Sequence, residues 1–318
     1  MAHGEMLEDD KQGDRKARAK TKPSLQLVRG TPFATHLLRE CFESAMDYSH
    51  REGDLFIVTY LKCGTTWMQH IVYLIQTGGE RVLRTPPICG SRCTRWAARP
   101  GAMKSHLPLH QTGYSPEARY IVVIRNPFDV VVSLHHFWRM ISSYEYYGDF
   151  DDSFENFVDG SINSGDYFDF YRGWCRRIDD SNVLFLVYED MRKDPEAAVL
   201  KDVLKYSSFE EMKEYTNKMI DEFYEGVFPF QGEEYKGLRY LHRIIRRGSG
   251  LGGAGDSGSS PDKVVYVREG TVGGWKNYFS PEQTRRLGEK FRWETRDTPI
   301  ANLWPELNIG NRESTHKM

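Results

Sequence analysis

Residues 58–70, VTYLKCGTTWMQH, join an apolar run to a stretch with helical spacing. The run over 55–60, LFIVTY, is typical of a strand that is covered on both faces. The helical spacing continues to Gly78-Gly79, where a helix would close. Such a junction has two interpretations. It is either a plain turn, with Gly64 at the bend and threonine as the N-cap, or a cradle for a phosphate-like anion at the helix N-terminus.

The residue types at this junction favour the anion cradle. Gly64 lets a ligand approach the backbone, and Thr65 and Thr66 add hydroxyl donors. Lys62 adds a mobile positive charge next to the positive end of the helix dipole. This lysine precedes the glycine, whereas a Walker A loop places it after the glycine. The order therefore disfavours a magnesium-dependent nucleoside-triphosphate kinase.

The strand-then-helix pattern occurs twice more along the chain. Residues 120–125, YIVVIR, precede NPFDVVVSLHHFW, and residues 183–188, VLFLVY, precede EDMRKDPEAAVLKDVLKY. This alternation predicts parallel strands with crossover helices. We therefore expect a single α/β domain with a central parallel sheet of about five strands, flanked by helices, in which the quoted junction is a P-loop-like strand-loop-helix.

Charge and cysteine content exclude several classes of protein. The 318 residues carry a net charge of −2, whereas a nucleic-acid-binding protein usually has a basic excess. Five cysteines form an odd, sparse set, which is typical of reduced intracellular thiols. Cys89 and Cys93 form a C-x3-C pair, but no second pair follows at the spacing of a zinc site. We expect no metal and no nucleic-acid partner.

The ends of the chain are predicted to lie outside the folded domain. Residues 1–28 are interpreted as a disordered charged tail, 29–310 as the domain and 311–318 as a C-terminal tail. No stretch approaches the ~18 apolar residues of a membrane span, and no signal peptide is recognisable. We therefore expect a soluble, cytoplasmic protein.

A Gly/Ser-rich stretch over 246–262 contains Gly248, Gly250 and Gly253 in a literal G-x-G-x-x-G. A dinucleotide-binding motif needs a strand before it and a helix after it. Here a basic segment precedes the glycines and more glycine and serine follow. The stretch is therefore predicted to be a flexible surface loop.

Residues 60–67, YLKCGTTW, resemble the 5′-phosphosulfate loop of the cytosolic sulfotransferase family, Y-P-K-S-G-T-T-W, with Leu61 for Pro and Cys63 for Ser. Five further segments resemble that family's motifs in order: KSHLP at 104–108, VIRNPFDVVVSLHHF at 123–137, VLFLVYEDMRKDP at 183–195, SSFEEMKE at 207–214 and VREGTVGGWKNYF at 267–279. The resemblance implies transfer of a sulfuryl group from 3′-phosphoadenosine 5′-phosphosulfate to a hydroxyl or amine of a small molecule, without a metal.

The resemblance implies four catalytic residues. His106 would be the general base, and Lys62 would stabilise the charge that builds on the leaving phosphate. Lys104 would hold the sulfuryl oxygens, and Ser133 would restrain Lys62 until the acceptor arrives. Considered without the motifs, a core histidine is the default interpretation of His106 and a solvated side chain that of Lys104. Lys62 differs, because it lies between a buried strand and the anion-binding turn.

The nucleotide contacts implied by the resemblance come from all parts of the chain. They are Lys62, Cys63, Gly64, Thr65, Thr66 and the 63–67 amides for the 5′-phosphate, Arg125, Ser133, Arg268 and Gly270 for the 3′-phosphate, and Trp67, Phe209, Tyr188, Ser207 and Met212 for the nucleoside. Two alternatives stay open. Arg125 could form an ordinary ion pair with Asp129, and the aromatic residues could be core packing.

The acceptor pocket is sought in the aromatic-rich stretch 134–150, LHHFWRMISSYEYYGDF. Phe137 matches a pocket position of the family, whereas Trp138 and Tyr144 are assigned by residue type alone and could equally face the core. Aromatic walls favour a ring-bearing acceptor such as a phenol or a monoamine.

This chain departs from the family pattern at several positions. Glu269 stands where a lysine is usual and Gly274 where an aspartate is usual, which predicts weaker donor binding. The family's dimer motif keeps only Lys276, since Ser280, Pro281 and Arg285 differ, so a homodimer is not carried over. The competing hypotheses are a nucleotide-binding relative with weak or no turnover, a P-loop phosphotransferase and a carbohydrate sulfotransferase.

Overall fold

The computed structural model describes residues 20–76, 102–193 and 270–307. The predictions for several residues cannot be compared with it. Outside the described residues lie Gly78, Gly79, Cys89, Cys93, Ser207, Phe209, Met212, Arg268, Glu269, the 246–262 stretch and the 311–318 tail.

Six strands and eight α-helices form the described part of the chain. The strands are β1 (Leu25–Val28), β2 (Thr31–Ala34), β3 (Leu55–Thr59), β4 (Ala102–Ser105), β5 (Arg119–Ile124) and β6 (Val183–Val187). The helices are α1 (Arg39–Met46), α2 (Thr65–Gln76), α3 (Leu109–Thr112), α4 (Pro127–Met140), α5 (Phe150–Val158), α6 (Tyr167–Cys175), α7 (Tyr188–Lys193) and α8 (Pro281–Thr295). Short 3₁₀ turns cover Ser142–Tyr144, Gly274–Asn277, Pro299–Asn302 and Pro305–Leu307.

The predicted parallel α/β sheet is confirmed. Its strand order is β4-β3-β5-β6, and all three pairings are parallel. The described residues supply four strands of the expected sheet of about five. The central strands β3 and β5 are apolar on both faces and carry Ile57, Val58, Val122 and Val123, each at most 1% exposed. Burial on both faces explains the continuous apolar runs in the sequence.

The predicted N-terminal tail, residues 1–28, extends too far along the chain, because its last residues are folded. Residues 25–28 form β1, which pairs antiparallel with β2 in the register Leu25↔Ala34. Val28 and Ala34 are fully buried at this hairpin. The short apolar alternation of LQLV is sufficient for a strand once β2 supplies the partner, although charged residues precede it.

Helices cover both faces of the sheet. Helix α2 packs on one face through Trp67, Met68 and Ile71, which contact the sheet residues Ile57 and Val123. Helices α4, α5 and α6 belong to the larger core on the other face. Among the described helices, none has the length and apolar character needed to cross a membrane.

Candidate active site

The loop between β3 and α2 has the backbone shape of an anion cradle. Lys62 and Gly64 both have positive φ, +67° and +94°, and the helix begins at Thr65 directly afterwards. The Cys63 side chain is fully buried, and burial raises the pKa of its thiol to about 12. The Cys63 N–H donates to the Tyr60 carbonyl at 3.3 Å, so this residue packs into the interior and a cysteine can stand where the family has a serine.

Gly64 is needed for its lack of a side chain as well as for its φ. A Cβ at this position would lie 2.8 Å from Tyr188 Cδ2, closer than van der Waals contact allows. We expect Gly64→Ala to lower nucleotide affinity at least about tenfold, because the loop must shift away from Tyr188. Calorimetric titration with adenosine 3′,5′-bisphosphate measures this change.

Gly113→Ala is the matched control for that substitution. Gly113 also has a positive φ, +72°, but a Cβ added there would have no neighbouring atom within 4 Å among the described residues. Because its φ of 72° and ψ of 176° are essentially reserved for glycine, the substitution should cost about 1–3 kcal/mol of stability and leave nucleotide affinity unchanged. Equal losses of affinity in both variants would contradict the special role of the Gly64 position.

His106 is held in the tautomer that a general base requires. Its Nδ1 lies 2.8 Å from the Thr59 carbonyl oxygen, which can only accept a hydrogen bond. The Nδ1 atom therefore carries the proton, and Nε2 of the neutral ring is left to accept one. Thr59 also lies beside the anion loop, since its Oγ1 is 2.5 Å from Thr65 Oγ1.

The pKa values of the two central groups are lowered by their surroundings. Burial, assisted by Lys104 and Lys62, lowers the pKa of His106 to about 4. Burial and the nearby Arg125 guanidinium lower the pKa of Lys62 to about 8. At neutral pH the imidazole is therefore neutral and the ammonium still charged, as a base and a charge-stabilising group must be.

These shifts predict a plateau of activity between about pH 4 and pH 8. Below that range His106 gains a proton and can no longer accept one, and above it Lys62 loses its charge. The pH dependence of kcat/KM measures both limbs. Lys62→Arg should move only the basic limb upward, because a guanidinium does not titrate there. A single limb near pH 6.5 would contradict this assignment.

Arg125 is a buried cation with spare hydrogen-bonding capacity. Its side chain donates to the Lys62 carbonyl at 3.0 Å and to the Thr271 carbonyl at 3.4 Å, and it lies 4.5 Å over the Tyr188 ring. In the described part of the chain, its buried Nε has no hydrogen-bond partner. An anion bound at the guanidinium would balance its buried charge.

The alternative ion pair between Arg125 and Asp129 is not found among the described residues. Asp129 instead accepts hydrogen bonds from the backbone N–H groups of Gly273 at 2.7 Å and Trp275 at 3.0 Å. These two hydrogen bonds to Asp129 hold the 3₁₀ turn Gly274–Asn277 and the residues just before it. Since Arg125 reaches the carbonyl of the neighbouring Thr271, the turn lies beside the guanidinium, as the prediction for Gly270 requires.

Helix α4 brings an aromatic wall to the cradle. The Lys62 ammonium lies 4.5 Å from the centre of the Phe137 ring, and that ring packs edge-on against Tyr144 at 5.6 Å. Ser133 lies one turn earlier on the same helix. The structure therefore brings together Lys62, His106, Arg125 and Phe137.

Other predicted site residues are more deeply buried. Trp138 is 1% exposed and packs against Tyr146 within the core, so the core alternative holds for this residue. Trp67 is 6% exposed and meets Tyr188 edge-on at 5.5 Å, so its stacking on adenine stays a prediction. Tyr144 is also buried, and its contact with Phe137 links it to the cradle.

Sequence reasoning missed the residues that fix the candidate catalytic groups. Thr59 sets the tautomer of His106, and Tyr167 donates to the Arg125 carbonyl at 2.6 Å. The parallel register Val58↔Ser105 places Thr59 next to His106. The sequence carries no signal for that register, because the four mixed residues AMKS do not predict a strand.

Comparisons with known proteins agree with this geometry. The sulfotransferase domain family model matches residues 52–226. A rabbit (Oryctolagus cuniculus) amine sulfotransferase is 29% identical over 84% of this chain and 88% of its own length. Rat (Rattus norvegicus) sulfotransferase 1C2 is 30% identical over 89% of this chain and 96% of its own length. The chain belongs to the sulfotransferase family and is a sulfotransferase.

Solved structures show the same fold. Mouse sulfotransferase SULT7A1, complexed with PAP, superposes with a TM-score of 0.66 at 23% identity, covering 89% of this chain and 98% of that one. Retinol dehydratase, in complex with androsterone and inactive cofactor PAP, superposes with a TM-score of 0.59 at 19% identity, covering 91% of this chain and 95% of that one.

Proposed function

We propose that the protein transfers a sulfuryl group from 3′-phosphoadenosine 5′-phosphosulfate to a hydroxyl or amine of a small aromatic acceptor in the cytoplasm. The observation that carries the proposal is the cradle itself. A cation with a lowered pKa, Lys62, and a neutral base, His106, meet at the N-terminus of α2. The solved neighbours that bind PAP support the choice of donor.

The residues of the cradle fit this donor. The amides of residues 64–67 and the Lys62 ammonium would hold the 5′-phosphate, since the Cys63 N–H already donates to the Tyr60 carbonyl at 3.3 Å. Arg125, a largely buried cation beside the loop, would hold the 3′-phosphate. Ser133, Gly270 and, outside the described residues, Arg268 would complete the second site. When bound, the donor supplies the activated sulfuryl group that is transferred.

Each catalytic residue of this chain has one task. His106 Nε2 accepts the proton of the attacking hydroxyl, while the Thr59 carbonyl keeps the ring oriented. Lys62 stabilises negative charge at the leaving oxygen, and Lys104 places a second positive charge near His106. Phe137 offers an aromatic face to the acceptor ring, next to Lys62.

The acceptor is proposed to be a phenol or a monoamine. The aromatic wall at Phe137 favours a ring, and one relative is named an amine sulfotransferase. A steroid alcohol is the remaining candidate class. Measuring kcat/KM of the purified protein with each class of acceptor ranks the classes. We expect the highest kcat/KM with phenols and monoamines.

A nucleotide-binding relative with weak or no turnover is the alternative function. Glu269 motivates it, because a carboxylate beside the 3′-phosphate would repel the donor. We expect Glu269→Lys to raise the affinity for adenosine 3′,5′-bisphosphate by about tenfold, measured by calorimetry in low salt. Glu269→Gln, which removes the charge without adding one, should give a smaller gain. Unchanged affinity in both variants would mean that Glu269 does not contact the nucleotide.

Transfer of a labelled sulfuryl group onto a simple phenol separates the two functions. We expect labelled product that is lost when His106 is replaced. Tight binding of adenosine 3′,5′-bisphosphate without labelled product from any phenol, amine or alcohol would favour the non-catalytic alternative.

A further inference from the structure

Glu189 is a buried carboxylate to which the proposed mechanism assigns no role. It is 3% exposed, and its two oxygens are bound by separate parts of the chain. Oε1 accepts the Asn126 N–H at 2.9 Å, and Oε2 accepts the indole N–H of Trp304 at 3.2 Å. Burying a carboxylate is costly unless both oxygens are satisfied, so the arrangement around Glu189 calls for a reason.

The N–H that Glu189 accepts belongs to the peptide group between Arg125 and Asn126. The carbonyl oxygen of the same peptide group accepts the Tyr167 hydroxyl at 2.6 Å. Side chains from two helices, α6 and α7, therefore hold both polar groups of one peptide plane. Because rotation of this plane would change ψ of Arg125 and φ of Asn126, the two hydrogen bonds fix how the chain leaves β5 and enters α4.

The clamped peptide group lies between two residues that are assigned to the 3′-phosphate. Arg125 contributes its carbonyl, and Ser133 lies on α4, which begins directly after Asn126. Tyr188, the chain neighbour of Glu189, lies 4.5 Å below the Arg125 guanidinium. Burial raises the pKa of Glu189, and Arg125 is close enough to oppose that rise. A displacement of the Glu189 carboxylate would therefore reach the groups assigned to the nucleotide.

Trp304 holds the other oxygen of Glu189 from the segment that follows α8. Trp304 is 3% exposed and packs against Phe291 of α8, with ring centres 5.8 Å apart. The turns Pro299–Asn302 and Pro305–Leu307 flank it in the chain. An indole has a single N–H, and here that N–H is donated to Glu189. The orientation of the carboxylate is therefore set by a residue far along the chain from the anion loop.

We propose that Glu189 is a positioning residue for the nucleotide, and that Trp304 holds it in the orientation that keeps Arg125 directed at the 3′-phosphate. This inference rests on the proposed sulfotransferase function. It gives the segment after α8 a part in donor binding, which Trp304 exerts only through Glu189. Loss of the clamp should weaken donor binding and leave transfer from the bound donor nearly unchanged.

Two substitutions of Glu189 test its role. Glu189→Gln keeps one oxygen for the Asn126 N–H, whereas Glu189→Leu removes both acceptors at a similar volume. We expect Glu189→Leu to raise the Kd for adenosine 3′,5′-bisphosphate and the KM for the sulfuryl donor about tenfold, with kcat within about threefold of wild type. Glu189→Gln should change each of these quantities by at most about threefold. Calorimetry and steady-state kinetics measure them.

A role through charge predicts the opposite sign. A carboxylate near a bound phosphate repels it, so charge alone would make both substitutions of Glu189 strengthen nucleotide binding. A purely structural role would lower the melting temperature and leave Kd and KM of the folded protein unchanged. Asn182→Leu is the matched control, because Asn182 donates to the Ser115 and Ala118 carbonyls at the opposite end of β6. It should lower the melting temperature without changing the nucleotide Kd.

Trp304→Phe tests the link to the segment after α8, and it keeps the inference testable if Glu189→Leu does not fold. The substitution retains an aromatic ring but removes the indole N–H. We expect the nucleotide Kd to rise about threefold. In the Glu189→Gln background the same substitution should have a smaller effect, because the single amide oxygen is held by the Asn126 N–H and the indole has already lost its acceptor.

Three results would overturn the inference: unchanged or tighter nucleotide binding in Glu189→Leu, an equal rise of Kd in Asn182→Leu, or an effect of Trp304→Phe that is the same in both backgrounds. Normal sulfuryl transfer with any of these results contradicts only the role of Glu189. The predicted changes in nucleotide Kd, without sulfuryl transfer by the wild-type protein, support the role of Glu189 and contradict the proposed function.

Discussion

His106→Ala is expected to lower kcat by about 10²- to 10⁴-fold, the range that loss of a general base produces. The expected loss follows from geometry, since the Thr59 carbonyl binds the Nδ1 proton and leaves Nε2 as the only ring nitrogen that can accept one. The affinity for adenosine 3′,5′-bisphosphate should stay within about twofold of wild type, because the phosphates are assigned to Lys62 and Arg125.

His106→Asn is the control for that experiment. Its amide N–H can still donate to the Thr59 carbonyl, so the packing of β4 against the end of β3 is kept, but the side chain has no basic nitrogen. We expect it to be as inactive as His106→Ala and closer to wild type in melting temperature. Parallel losses of turnover and nucleotide affinity would instead make His106 a structural residue.

Lys62→Met is expected to lower kcat by about 10²- to 10³-fold, comparable with the removal of one donor to a developing negative charge. Methionine fills a similar volume next to Phe137 but has no charge. Nucleotide affinity should also fall, by about tenfold, since the ammonium is assigned to the donor's phosphate. The basic limb of the pH profile should disappear, because the group that titrates near pH 8 is gone.

Lys62→Arg separates charge from shape. It keeps a permanent positive charge on the loop, so nucleotide binding should be largely retained, while the larger planar group cannot occupy the same place over Phe137. We expect intermediate turnover. Wild-type turnover in Lys62→Met would show that the charge of the loop is not used.

The sequence was sufficient to predict those parts of the fold that repeat a simple pattern. The apolar runs predicted β3, β5 and β6 within a residue of their observed ends, because buried parallel strands are apolar throughout. Strand β4, AMKS, was not predicted, since four mixed residues carry no such signal. Strand β1 was assigned to the tail for the same reason.

The catalytic residues were predicted from motifs, but their relationships required the structure. The tautomer of His106 depends on the register Val58↔Ser105, which local sequence does not specify. Trp138 was assigned to the acceptor pocket by residue type, whereas the face it occupies on α4 points into the core.

The central claim is that the β3–α2 junction binds the phosphates of a sulfonated nucleotide beside His106. A crystal structure of the protein with adenosine 3′,5′-bisphosphate tests it most directly. We predict the 5′-phosphate within hydrogen-bond distance of the residue 64–67 amides and the 3′-phosphate on Arg125. A nucleotide bound elsewhere, or a junction closed by side chains at saturating nucleotide, would contradict the account.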